Sequence, residues 1–378
     1  MDDHPSGERW ESRRAFIRGA SIIAEPATMG SAREVSGLGP RRDLSLTRWG
    51  ARMVILTEAQ IRQLVDADAA RQAVADAFRA LHRGQATLAN VSTLYFADPD
   101  GLAHIKAGHL HQDRVWTVKV AADLDPGDGG PVRHGGLMLV LSALDGSLVG
   151  LLLDNGYLTE LRTGAAGAIA AELLARPDAT TVAIVGAGSQ ARHQLQALRR
   201  VRQIERVQIA SRSPERVRAF ADEIEAGHGL AVQICSSVEH AVRGADIVIT
   251  TTPSRAPLVE SDWLHPGTHV TAVGADDPAK QELAADVLAR AAVVAVDDRG
   301  QAARSGELHH AIEGGLRREE DTVTLGELLE GVVEGRAGED DLTVADLTGV
   351  GVQDAAIAAM ALRQAARGLD AHLNAGTR

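Results

Sequence analysis

Aromatic residues are scarce in this chain: four Phe, four Trp and two Tyr among 378 residues. Small side chains take their place, which suits close-packed α/β layers. A single cysteine, Cys235, excludes any intrachain disulfide and leaves the redox compartment open. No apolar run approaches the roughly 20 residues needed to cross a bilayer. Basic residues are outnumbered, with 39 Lys and Arg against 51 Asp and Glu, a net charge of −12. Neutralising phosphates needs a basic face, so the charge argues against a nucleic-acid partner. The length leaves room for two domains of ordinary size.

Residues 1–52 lack sustained periodicity. Ser12-Arg13-Arg14-Ala15-Phe16-Ile17 is similar to a twin-arginine export signal, but the apolar stretch after it is interrupted by Arg18 and Glu25. The segment therefore reads as a disordered extension, or as the product of a start codon placed too far upstream, and a cytoplasmic location is expected.

The most informative stretch is Thr181-Val182-Ala183-Ile184-Val185-Gly186-Ala187-Gly188-Ser189-Gln190-Ala191. A β-branched apolar run breaks at two glycines one residue apart, and helix-compatible sequence follows. Gly186 permits a tight turn, Gly188 lets the backbone approach a pyrophosphate, and the helix dipole favours the anion. Ala191, in the third position, still lets helix pack on strand. An ordinary tight β–α turn would also use such glycines, but a strand, a helix and a second strand in that order favour dinucleotide binding.

Strand candidates precede this motif at Met53–Leu56, Val91–Phe96, Ala103–Ala107, Trp116–Ala121, Leu137–Ser142 and Leu148–Leu153. Thr57 and Gln60 resemble a capping box, and Asp68 is the expected cap of a second helix. A helix is expected over Leu158–Leu174. Strands then alternate with helices at Val182–Val185, Arg206–Ser211, Val232–Cys235, Ile247–Thr251, His269–Val273 and Val293–Val296, and a helix closes the chain over Asp354–Leu373. The fold class is therefore α/β: a Rossmann-type parallel-sheet domain over 177–345, and a mixed α+β substrate-binding and dimerisation domain over 53–176 with 346–378.

Several motifs resemble the ornithine cyclodeaminase/μ-crystallin family. They are Leu153-Asp154-Asn155-Gly156-Tyr157-Leu158-Thr159-Glu160-Leu161-Arg162-Thr163-Gly164, Gly267-Thr268-His269-Val270-Thr271-Ala272-Val273-Gly274, Lys280-Gln281-Glu282-Leu283, and Asp346-Leu347-Thr348-Gly349 through Gln353-Asp354. Within the family, Leu151–Arg162, Thr250–Arg255 and Gly349–Asp354 look most like the ectoine-utilisation branch. The resemblance implies an NAD(P)-dependent homodimeric enzyme acting on a small amino or imino acid.

Lys119 lies on an apolar strand, where it reads either as an edge lysine reaching water or as a functional cation. The resemblance matches it to the family's catalytic-site lysine. Arg162 reads either as a structural partner of Glu160 or Asp154, or as a bidentate clamp on an α-carboxylate. The resemblance implies the clamp. Family members often carry a third cation near Ala89–Leu94; none stands there, and Lys106 is the nearest replacement for substrate binding, with a solvated strand lysine as its other reading. His104, His109 and His111 lack a carboxylate cluster, so no metal is expected.

Cyclodeaminases of the family place an aspartate after Thr252, where this chain has Pro253, Ser254 and Arg255. Amine–imine interconversion needs hydride alignment and charge stabilisation more than that base, so an imine reductase or dehydrogenase is expected, acting in ectoine catabolism. A true cyclodeaminase and a non-catalytic binder of reduced cofactor, as μ-crystallin is viewed, are the other readings. Ser254 is a candidate to meet the substrate amine, or a plain turn serine. The candidate cofactor contacts are Gly186, Gly188, Ser189, Gln190, Ser211, Arg212, Thr251, Val273 and Gly274. Ser211 and Arg212 stand where an NAD enzyme keeps an acid, which favours NADP(H) over NAD(H), unless Arg212 merely caps the helix at Ser213-Pro214-Glu215.

Overall fold

The computed structural model describes residues 22–23, 53–127 and 132–375. The twin-arginine-like segment and nearly all of the expected extension lie outside the described residues. Strand β1 (Ile22–Ile23) pairs antiparallel with β2 (Met53–Thr57).

Helices α1 (Glu58–Leu64) and α2 (Ala67–His82) follow β2. The capping box at Thr57 is present, with the Thr57 N–H donating to Gln60 Oε1 at 2.9 Å. The cap of α2 is Asp66 and not Asp68. Asp66 has extended backbone just outside the helix, and its carboxylate accepts from the N–H groups of Asp68 and Ala69; Asp68 itself is inside the first turn.

The first sheet continues through β3 (Ala86–Leu88), β4 (Ser92–Ala97), β5 (Asp100–Leu110), β6 (Val115–Asp125), β7 (Arg133–Ser142) and β8 (Leu148–Leu153). Its order is β1-β2-β8-β7-β6-β5-β3, with β4 also on β5. β5 and β6 extend well past their expected bounds, because their backbones stay paired from Asp100 with Asp125 through to His109 with Trp116. One face is closed by helices and buries Thr117, Lys119, Met138, Val140 and Leu152. The opposite face carries Trp116, Val118, Val120, Leu137, Leu139 and Leu141, all part-exposed. Helix α3 (Tyr157–Leu174) follows β8 and is buried nearly all round.

The second sheet starts at β9 (Thr181–Val185) and proceeds through α4 (Ser189–Leu198), β10 (Arg206–Ala210), α5 (Pro214–His228), β11 (Ala231–Ile234), α6 (Val238–Val242) and β12 (Ile247–Thr250). A two-stranded ribbon, β13 (Arg255–Val259) with β15 (Gln281–Leu283), flanks β14 (His269–Ala272). Helices α7 (Ala285–Arg290), α8 (Arg299–Ser305), α9 (Glu307–Glu313) and α10 (Leu325–Glu330) surround β16 (Val293–Val296) and β17 (Val323–Thr324). Strand β18 (Thr343–Asp346) then leads into α11 (Gly351–Ala375).

The order is β11-β10-β9-β12-β14-β18-β16-β17, and every pairing is parallel. From β9 the chain steps outward to β11, then returns to β12 on the other side of β9. That reversal is the topological switch point at which open α/β sheets bind ligands. Strand β18 was not apparent in the sequence: four residues ending in Asp346 carry too little pattern to register as a strand. It inserts between β14 and β16. Phe78 of α2, Ile169 and Leu174 of α3, and Ala295 and Ala345 of the second sheet share one apolar cluster. Leu158, at the other end of α3, packs with Met138 and Leu152 of the first sheet. Helix α3 therefore bridges the sheets.

Candidate active site

The glycine turn lies at the switch point. Gly186 has φ +120°, and a Cβ there would sit 2.5 Å from Thr251 Oγ1, so the loops after β9 and β12 converge on a position that only glycine fills easily. The Gly186 N–H donates to Ala210 O at 2.9 Å, which draws in the end of β10 beside Ser211. Gly188 precedes α4, and a Cβ added there would meet nothing within 4 Å, so the helix N-terminus faces open space. Ser189 and Gln190 open that helix. Val273 and Gly274 follow β14, and Gly274 lies against Thr252 O and Glu282. Buried Glu282 joins the loops after β12 and β14, accepting from Thr250 Oγ1 and the Gly274 N–H, each at 2.7 Å. All nine candidate cofactor residues thus lie at or just beyond the carboxyl ends of adjacent strands. Open backbone donors at a helix N-terminus fit a dinucleotide pyrophosphate.

Ser211 and Arg212 are exposed. The cap of α5 is Ser213, whose Oγ accepts from the Arg216 N–H. Arg212 is thus not occupied in capping.

Lys106 on β5 and Lys119 on β6 are direct cross-strand partners, only 3% and 2% exposed. The solvated readings of both lysines are overturned. Like charges in that register repel, so the surrounding groups decide whether the arrangement is tolerable. Lys106 Nζ donates to Thr348 O at 2.9 Å and to Gly349 O at 2.8 Å. Lys119 Nζ lies 3.4 Å from Asp354 Oδ2. Arg162 points to the same carboxylate, with Nε 3.2 Å from Asp354 Oδ1 and Nη1 3.2 Å from Gln353 Oε1. Its partner is therefore neither Glu160 nor Asp154. Burial pushes the Lys119 ammonium down to about 7, against the pull of Asp354. Burial also lowers Lys106.

The helix carrying Arg162 is built for close approach. Asn155 and Gly156 have φ of 50° and 85°, and Asp154 Oδ2 accepts from the Leu158 N–H at 2.9 Å, which starts α3. A Cβ on Gly167 would fall 1.9 Å from Gln194 Oε1 of α4, and Gln194 Nε2 donates to Thr163 O at 3.0 Å. The helix of the glycine turn is thus docked on the helix of Arg162. A second contact brings in α11: a Cβ on Gly351 would sit 2.3 Å from Ala107 O. That approach places Gln353 and Asp354 over β5 and β6.

Ser254 is not part of this cluster; its hydroxyl donates to Ala256 O at 2.7 Å and closes a local turn. His104, His109 and His111 hydrogen-bond separately, to Thr93, Asp113 O and Thr87. Asp354 and Gln353 are the site residues that the sequence reading did not single out. Their signal was present, as two adjacent polar residues just ahead of a run of Ala, Ile, Met and Leu over 355–362. Asp297, at the end of β16, was also missed.

Among the described residues no helix is long and apolar enough to cross a membrane. The profile of the ornithine cyclodeaminase/mu-crystallin family matches residues 51–368. The chain belongs to that family. An uncharacterized cyclodeaminase of Sinorhizobium fredii is 42% identical over 318 residues, covering 83% of this chain and 96% of that one. Among solved structures, a dimeric archaeal alanine dehydrogenase with bound NAD is 35% identical with a TM-score of 0.76, covering 83% of this chain and 96% of its own. The Δ1-pyrroline-2-carboxylate reductase of Thermococcus litoralis, in complex with NADH and L-proline, is 26% identical with a TM-score of 0.78, covering 83% of this chain and 97% of its own.

Proposed function

We propose that this family member is an NAD(P)-dependent enzyme that interconverts amine and imine at the Cα of a small amino acid, working as an imine reductase or dehydrogenase. The observation that carries the reading is the buried cluster of Lys106, Lys119 and Arg162, in which Lys119 and Arg162 both meet the carboxylate of Asp354. Arg162 and Lys119 share the one carboxylate of Asp354, which leaves positive charge for a bound anion, and a guanidinium matches a carboxylate in a fork. Arg162 and Lys119 hold the substrate's α-carboxylate in this reading. Lys119, poised near neutrality, also passes a proton to or from the nitrogen. Lys106 adds positive potential behind them.

A bound nicotinamide supplies or accepts the hydride. Gly186, Gly188, Ser189 and Gln190 take its pyrophosphate, with Thr251, Val273 and Gly274 on the nicotinamide side. Arg212 beside Ser211 favours a 2′-phosphate and hence NADP(H). The loop after β12 brings Pro253, Ser254 and Arg255 and no carboxylate of its own, but Asp276 in the loop after β14 sets a carboxylate beside Lys106, so the ornithine assay below separates imine–amine exchange from a full cyclodeaminase cycle. The substrate unit is residues 53–176 with 346–378, and the cofactor unit is 177–345. The ectoine link rests on the branch-like motifs alone. The part-exposed apolar face of the first sheet is the homodimer interface.

Purified protein given Δ1-pyrroline-2-carboxylate should consume reduced cofactor, NADPH faster than NADH. Arg162→Lys should lower kcat/KM about 10- to 100-fold, the scale of one charge-assisted hydrogen-bond pair. Ammonia release from ornithine at substoichiometric NAD+ would instead mark a cyclodeaminase. Tight binding without turnover across amino and imino acids would mark a binder.

A further inference from the structure

We propose that Lys106 is a positioning residue that, with Asp297 and Gln301, locks the turn at Thr348-Gly349 so that Arg162 is held in its carboxylate-binding pose. The proposal rests on the reading of Arg162 given above. Lys106 has three hydrogens to donate, and two go to consecutive backbone carbonyls, Thr348 O and Gly349 O. On the other side of the turn, Gln301 Nε2 donates to Thr348 Oγ1 at 2.9 Å and to Gly349 O at 3.0 Å. Asp297 accepts from Thr348 Oγ1 at 2.9 Å and from the Gly349 N–H at 2.5 Å. Every polar group of the turn in this network is therefore bound by a side chain from β5, from α8 or from the end of β16.

The turn in turn holds the arginine. Gly349 has φ +77°, and a Cβ on it would lie 2.5 Å from Arg162 Nη1, so the glycine backbone forms the wall against which the guanidinium rests. The next residue, Val350, donates its N–H to Gln353 Oε1 at 2.9 Å, the same oxygen that receives Arg162 Nη1. A shift of the turn would move both the wall and the acceptor of the guanidinium. Lys106 also gives the turn a tie to the first sheet, whereas Asp297 and Gln301 tie it to the second-sheet side.

Four variants test this: Lys106→Met, Thr348→Val, Thr348→Ser and the Lys106→Met/Thr348→Val double. Amide hydrogen exchange on the purified protein needs no substrate. Lys106→Met and Thr348→Val should each speed exchange over residues 348–353 about tenfold and leave β9 and its glycine turn unchanged, while Thr348→Ser stays near the parent. With Δ1-pyrroline-2-carboxylate and NADPH, the same two variants should raise the imino-acid KM about tenfold and shift the NADPH Kd by less than about twofold. The double variant should be no worse than the poorer single, because both substitutions release one turn.

Unchanged exchange over 348–353 in both variants overturns the proposal whatever the substrate proves to be. A raised KM in Lys106→Met with none in Thr348→Val, or two single effects that add fully in the double variant, overturns it in favour of direct contact between Lys106 and substrate. Faster exchange over 348–353 together with an Arg162→Lys variant of unaltered KM would leave the lock standing and remove the carboxylate-clamp reading. Should Lys106→Met fail to fold, the comparison of Thr348→Val with Thr348→Ser decides alone.

Discussion

Two ammonium groups facing one another across β5 and β6 would repel, and a guanidinium beside them adds to the strain. Asp354 makes the cluster tolerable by reaching both Lys119 and Arg162 from α11. Burial disfavours the charged form of Lys119 and brings it to about 7, while Asp354 is the strongest influence raising it. An anionic substrate needs the charged form, so kcat/KM should fall as pH rises through about 7. Replacing Asp354 with Asn removes the upward pull, and the alkaline limb should move to lower pH. A pH profile of kcat/KM measures this, and a limb that stays in place would count against Lys119 as the titrating group. Lys119 and Arg162 were legible in the sequence because a cation in an apolar strand or a small-residue helix is conspicuous. Asp354 was not, because its partners lie 235 and 192 positions away in the chain (354 − 119 and 354 − 162) and nothing local announces them.

At the scale of elements, the contact of α3 with α4 links the two expected binding regions. Gly164 and Gly167 leave no side chain between the helices, and Gln194 donates into the α3 backbone next to Arg162. Gly167→Ala would place a methyl 1.9 Å from Gln194 Oε1, so Gln194 must leave Thr163 O or the helices must separate. Overpacking of this kind costs about 1–3 kcal/mol. The expected result is a lower Tm together with weaker binding of both cofactor and imino acid. Thermal denaturation and the two binding constants would check it; weakening of only one ligand would separate the helices' roles. The helices and most strands of this region were readable from period and punctuation. The cap of α2 and strand β18 were not, since a cap depends on which residue stays extended, and β18 is stabilised by its neighbours β14 and β16.

For the molecule as a whole, the first sheet has one face closed by helices and one face of part-exposed Trp116, Val118, Val120, Leu137, Leu139 and Leu141. Large contiguous apolar faces are where proteins associate, and the proposed homodimer uses this one. If two copies meet there, Val120→Asp buries a charge at the centre of the contact and should yield a monomer with the fold intact. Light scattering after size exclusion and far-UV circular dichroism measure the two halves of that outcome. A dimer that survives the substitution would place the interface elsewhere.

The sequence by itself determined the class of fold, the glycine turn, the two principal cations and the family. Each of these is written in local signals: periodicity, glycine spacing, and charges set among apolar residues. Only the tertiary structure decided that Lys106 faces Lys119, that it is bound by the Thr348-Gly349 turn, and that Asp354 stands between the cations. Those relations depend on strand register and on α11 returning from the second sheet to cover the first. Register and return are set by packing among distant segments, so no short window of sequence contains them.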